Sequence, residues 1–183
     1  METRAFQSIW RAKVRLGRKA RWFWPLAIAL LVADCATKRV VEDRLTIGET
    51  RPVVGDVVRL TLSYNNAAAM GISLGGNSRV VLTTMSLLAL MVLAVLYHRT
   101  RASERLRTIA VALVIGGALG NLLDRIRSTT GVVDFIDVGV ADVRFWTFNV
   151  ADIGITIGAL LLLVAMGRWN TSSAQVPRPQ KTQ

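Results

Sequence analysis

Asp134 lies between Val132-Val133 and Phe135-Ile136, and Asp152 between Val150-Ala151 and Ile153. Both are carboxylates in apolar sequence with no cation beside them. Two such groups pushed together in an apolar setting cannot both ionise, so their pKa values separate and the pair shares one proton near neutrality. One member then takes a proton from water while the other polarises a carbonyl. That is acid–base hydrolysis of a peptide bond, without a metal or a covalent intermediate. Two further carboxylates stand in apolar surroundings, each with a cation near it. Asp124 has Arg125 beside it and Asn121 one helical turn back; Asp34 has Lys38 one turn on, close enough to pair. For these the simpler reading is a salt-bridged strut holding helix ends together. Asn149, one turn before Asp152, completes the polar set.

Other chemistries lack parts. The single histidine, His98, adjoins Arg99 and reads as an interfacial basic residue; without a histidine near the aspartates, Ser/His/Asp and Cys/His schemes lack a member. A serine–lysine pair has no motif around any serine. Cys35 is the only cysteine, so neither a disulfide framework nor a Cys/His metal spacing exists, and no metal or other cofactor is expected.

The elements that position these residues are apolar runs. With 52% apolar residues in 183, the chain is too greasy for an ordinary soluble domain. The net charge of +11 invites a nucleic-acid reading, but the cations flank apolar runs and do not form one basic surface, so no nucleic-acid partner is expected. Four membrane spans are predicted, at about 22–41, 79–98, 107–124 and 148–167. The first opens on Trp22-Phe23-Trp24, an interfacial aromatic girdle. Its run to Ala33 is only as long as a signal-peptide core, but Asp34 just before Cys35 does not suit a processing pocket for small side chains. Gly116, Gly117 and Gly120 in the third span, and Gly154 and Gly158 in the fourth, allow close helix approach.

Residues 46–76 mix β-branched residues with turn formers, which predicts a small extramembrane sheet between the first two spans, with a strand at about 57–64. The run Asn65 to Gly71 reads either as a tightly packed loop or as a substrate-holding edge with Asn65 as donor. The expected organisation is therefore an all-α four-helix membrane domain over 22–168 carrying that sheet. A basic leader, 1–21, precedes it as a solvated tail touching anionic lipid, and a disordered tail, 169–183, follows.

Charge orients the chain. Segments 1–21, 98–107 and 168–183 hold 14 of the 23 Lys and Arg residues against only Glu2 and Glu104. The positive-inside rule puts both termini in the cytoplasm and Asp34, Asn65, Asp124, Asp134 and Asp152 together at the outer face. A proton-coupled relay would spread carboxylates through the membrane's depth, and an assembly factor would use them as struts only; clustering at one face favours hydrolysis.

Five blocks carry a resemblance: Asp34-Cys35-Ala36-Thr37-Lys38; Asn65 to Gly71; Gly116-Gly117-Ala118-Leu119-Gly120-Asn121-Leu122-Leu123-Asp124-Arg125; Val132-Val133-Asp134-Phe135; and Phe148-Asn149-Val150-Ala151-Asp152. In this order they resemble the motifs of the bacterial lipoprotein signal peptidases, signal peptidase II. That family is an aspartic endopeptidase of the inner membrane that removes the signal peptide from diacylglyceryl-modified prolipoproteins, cutting before the lipidated cysteine. The resemblance implies Asp134 and Asp152 as the catalytic pair. It implies Asn65, Gly117, Asn121, Asp124, Arg125 and Asn149 as substrate-binding or supporting residues, with Asp34 and Lys38 as buttresses. The implied partners are prolipoproteins and membrane lipid, the implied state a monomer. The chain departs from the family at Ala67, where glycine is usual, and Met70, where phenylalanine is usual.

Overall fold

The computed structural model describes residues 2–66 and 77–173, with side chains described over 17–66 and 77–167. Four helices and four strands follow in the order α1 (Glu2–Arg44), β1 (Thr50–Val54), β2 (Val58–Asn65), α2 (Ser78–Arg99), α3 (Arg105–Arg127), β3 (Val132–Val140), β4 (Val143–Arg144) and α4 (Val150–Ser173) among the described residues. Most of the Asn65–Gly71 run, with Ala67 and Met70, lies outside them, as do tail residues 174–183.

Three described helices are long and apolar enough to cross a membrane: Ser78–Arg99, Arg105–Arg127 and the Val150–Gly167 part of α4. The expected four-span bundle thus has three spans by length and composition. In α1 the apolar segment is interrupted by Asp34 and Lys38.

The first helix starts at Glu2, so the backbone ahead of the predicted first span is helical as well. Residues 2–21 are rich in alanine, arginine and lysine, good helix formers, and only Gly17 opposes them. The leader therefore continues the backbone of the apolar segment, through Pro25. Lys19, buried, donates to the carbonyls of Tyr97 (2.6 Å) and Thr100 (3.1 Å). A cation so placed satisfies carbonyls at the negative end of α2.

At the centre stands α3, packed on α1 and α4 and more lightly on α2. Its glycines explain the closeness: a Cβ at Gly116 would meet the Ala27 carbonyl of α1 at 2.8 Å, and one at Gly117 would overlap the Ala151 carbonyl of α4. Small residues let backbones approach where lipid supplies no hydrophobic drive. Phe23 and Ala27 of α1 with Val111 and Ala112 of α3 form the core at one end.

The sheet is antiparallel in the order β1-β2-β3-β4. The region expected to form a sheet between the first two helices supplies β1 and β2; β3 and β4 come from the α3–α4 connection, β3 pairing with β2 across the molecule and β4 with β3. Asp134 and Asp137 interrupt the apolar pattern of β3, and its partner lies some 70 residues earlier, so local patterning does not reveal the pairing. Ser63 stands opposite Asp134 and Asn65 opposite Val132, after an irregularity in β2 between Leu60 and Ser63. Leu62, Val133 and Phe135 close over Val41 and Leu45 at the end of α1, fixing the sheet to the bundle.

Candidate active site

Strand alternation points Val133 and Phe135 into that core and sends Asp134 to the other face. There Asp134 is buried, and each of its oxygens accepts from an amide: Oδ1 from Asn149 Nδ2 at 2.7 Å, Oδ2 from Asn65 Nδ2 at 3.0 Å.

Asp152 sits in the first turn of α4, half-buried. Asn149 precedes that helix and exchanges hydrogen bonds with it. Asp152 N donates to Asn149 Oδ1 (2.9 Å), and Asn149 N donates to Asp152 Oδ2 (3.2 Å), the reciprocal arrangement of a capping box. Asn121 of α3 donates to Asp152 Oδ1 at 2.8 Å. Fully buried Asn149 thus touches both candidate aspartates, with its backbone on one and its side-chain amide on the other. It also donates to Asn121 Oδ1 at 3.1 Å, closing the network between α3, β3 and α4.

Burial raises the pKa of Asp134 to about 6, and the charge of Asp152 pushes the same way. The amides of Asn65 and Asn149 and the Lys38 ammonium oppose them. A carboxyl poised there exchanges its proton close to neutral pH.

Behind this network Lys38, buried on α1, reaches three groups: Asp34 Oδ2 (2.7 Å), Asp124 Oδ2 (2.8 Å) and Asn121 Oδ1 (3.0 Å). The Asp34–Lys38 pair is the one their spacing predicted. Among the described residues Asp34 Oδ2 has no conventional hydrogen bond and rests on that ammonium. The two carboxylates then hold backbone next to the aspartates. Asp34 Oδ1 accepts from Ala151 N (2.9 Å), the residue before Asp152, and Asp124 Oδ2 from Val133 N (3.3 Å), the residue before Asp134.

The reading of Asp124 as a partner of adjacent Arg125 is corrected. Successive helical residues point about 100° apart, so Asp124 turns inward to Lys38 and pairs with Arg127, one turn on, at 3.2 Å. Arg125 donates to its own helix at Asn121 O (3.3 Å), and its charge acts on Asp152, Asp134 and Asp124. Gly117 lies at the α3–α4 crossing, against Ala151 and Ile155.

Residues missed from sequence are Arg127, Glu42 and Tyr64: Glu42 accepts from Arg127 (3.0 Å) and from Tyr64 (3.3 Å). The Asp124–Arg127 spacing of three on a helix was the available signal. Among the described residues no three His, Cys, Asp or Glu side chains are grouped to hold a metal ion.

A family model described as signal peptidase (SPase) II matches residues 26–168. Lipoprotein signal peptidases of Klebsiella pneumoniae and Escherichia coli are 38% and 36% identical to this chain over 145 residues. The match spans 79% of this chain and 86% and 87% of theirs. Two solved bacterial membrane enzymes, determined by the in meso method at 2.3 Å and 1.9 Å, share the fold with TM-scores of 0.72 and 0.69 and identities of 27% and 31%. They cover 85% and 77% of this chain and 92% and 89% of their own.

Proposed function

The chain belongs to the signal peptidase II family and is an aspartic peptidase; from that premise we propose that it removes signal peptides from diacylglyceryl-modified prolipoproteins, cutting before the lipidated cysteine with Asp134 and Asp152 as its catalytic pair. The observation that carries the assignment is Asn149, whose backbone and amide hydrogen bonds reach both aspartates from one buried position.

With one proton on the pair, the ionised carboxylate takes a proton from a water whose oxygen bonds to the carbonyl carbon preceding the cysteine. The protonated carboxyl donates to the carbonyl oxygen, giving a neutral tetrahedral diol. The first carboxyl then passes its new proton to the cysteine nitrogen as the C–N bond breaks. The second carboxylate recovers a proton from the diol, which becomes the carboxylic acid, and the pair ends as it began. Asn65, Asn121 and Asn149 hold the carboxylates, and Arg125 supplies positive charge toward them for substrate carbonyl groups. Asp34, Lys38, Asp124 and Gly117 support the elements that carry the pair.

In this reading α1 makes the fourth crossing from about Trp22 to Val41, with Asp34 and Lys38 neutralising each other inside the bundle. Both termini face the cytoplasm and the aspartates the outer side, as the distribution of Lys and Arg favours. The substrate's acyl chains lie among the lipid-facing helices, and the enzyme acts as a monomer.

The test is cleavage of a synthetic diacylglyceryl-modified lipobox peptide by the purified, reconstituted protein, with the cut located by mass spectrometry. A single cut before the modified cysteine is expected, absent with the unlipidated peptide. Asp134→Asn and Asp152→Asn are each expected to lose it, by a factor of about 10³ or more, while accumulating normally in the membrane. Turnover surviving in either variant refutes the pair.

A further inference from the structure

Tyr64 and Asn65 are neighbours on β2, and strand alternation sends them to opposite faces. Asn65 goes to the face of Asp134, where its amide donates to Oδ2 at 3.0 Å. Tyr64 goes to the face of Val133, its register partner on β3, and packs on the cluster of Val41, Leu62 and Val133. There its hydroxyl donates to Oε1 of Glu42, the residue after Val41 near the end of α1, at 3.3 Å. The other oxygen of Glu42 accepts from Arg127 Nη2 at 3.0 Å, and Arg127 Nε stands 3.2 Å from Asp124 Oδ1. Asp124 Oδ2 in turn accepts from Val133 N at 3.3 Å.

These contacts close a ring: Tyr64, Glu42, Arg127, Asp124 and Val133, which faces Tyr64 again across the β2–β3 pair. Each strand residue it grips is followed directly by one member of the Asn65–Asp134 hydrogen bond. Holding Tyr64 and Val133 therefore fixes the rotation of both backbones, on which the angle and length of that bond depend. Ladder hydrogen bonds alone hold this end of β2 less firmly, because its register with β3 shifts between Leu60 and Ser63. Stability is not what the ring mainly supplies. The side chains of Arg127 and Glu42 are 42% and 20% exposed, and ion pairs open to solvent add little to it.

We propose that Glu42, Tyr64 and Arg127 are positioning residues for cleavage, acting through Asn65 to hold the Asp134 carboxyl in place. The inference rests on Asp134 and Asp152 being the catalytic pair.

The experiment compares Tyr64→Phe, Glu42→Ala and Glu42→Gln with the parent, each as the reconstituted full chain. Cleavage of the diacylglyceryl-modified lipobox peptide is followed across pH. The Asp134 carboxyl is titrated separately by infrared spectroscopy, its band identified by its loss in Asp134→Asn. Asp134 is faced by Asn65 of β2, Asn149 and Asp152 at the start of α4, Lys38 of α1 and the charge of Arg125 on α3. The ring bears on the Asn65 bond, which favours the ionised carboxylate, so loosening it moves the titration to higher pH. We expect kcat to fall about 3-fold in Tyr64→Phe and about 10-fold in Glu42→Ala, with KM within about 2-fold of the parent. Glu42→Gln recovers most of the loss, since its amide oxygen accepts from Arg127 while its NH2 donates to the Tyr64 oxygen. Adding Tyr64→Phe to Asn65→Ala shifts the titration no further, because both act through one bond.

Parent-like kcat and titration in Glu42→Ala overturn the proposal. A fall in activity that tracks lost stability, with the titration unmoved, overturns it as well. The titration needs no turnover: a parent that leaves the peptide uncut refutes the cleavage reading, and the titration then decides by itself whether the ring positions Asp134.

Discussion

Lys38 Nζ stands 2.8 Å from Asp124 Oδ2, joining α1 to α3 through an ion pair whose side chains are 1% and 4% exposed. The same ammonium holds Asp34 at 2.7 Å, and the two carboxylates grip the backbone N–H groups just before Asp152 and Asp134. Lys38→Met leaves both acids buried without their shared counter-charge. The expected loss is on the order of 3–5 kcal/mol of stability, read as thermal unfolding in detergent. Adding Asp34→Asn and Asp124→Asn to that variant is expected to recover part of it, since neutral amides remove the uncompensated charge.

Arg127 also contacts Asp124, yet its side chain is 42% exposed and Lys38 remains in place without it. Arg127→Ala is therefore expected to change stability by no more than about 1 kcal/mol. A loss as large as that of Lys38→Met in the same unfolding assay would contradict this division of roles.

Asp134 gives a pH dependence of defined sign. Its pKa is raised from 3.8 to about 6, so the folded protein holds this proton more tightly than the unfolded chain. The associated stability is fully present below pH 3.8 and is lost as pH rises through about 6. The difference between the two values corresponds to about 3 kcal/mol. Asp134→Asn, which cannot ionise, is expected to lack this decline. The unfolding temperature of the variant minus that of the parent should rise between pH 4 and pH 6 and level off above.

Asn149→Ala removes the 2.7 Å donor to Asp134 Oδ1 and the cap of α4. Loss of the cap is expected to cost about 1 kcal/mol, while misorientation of the pair lowers kcat by about 10²-fold with little change in KM. The amide favours the ionised carboxylate, so without it the inflection near pH 6 moves upward. A pH–rate profile separates this from simple destabilisation, which leaves the inflection in place.

A Cβ at Gly117 would overlap the Ala151 carbonyl. Gly117→Ala is expected to push α4 from α3 and cost about 1–3 kcal/mol, with loss of cleavage because Asp152 follows Ala151. Unchanged melting and activity would show that the crossing yields without strain.

The membrane character, the positions of three apolar spans, the strand near 57–64 and the Asp34–Lys38 pair were legible in the chain, because each depends on composition or on spacing within one element. Asp134 and Asp152 stood out for the same local reason, acids in apolar sequence with no cation beside them. Tertiary structure decided what those residues touch. That Asp124 takes Lys38 and Arg127, that Asn149 reaches both aspartates and that β3 pairs with β2 depend on helix crossing and strand register. These long-range contacts leave no periodicity in the sequence that a local reading could detect.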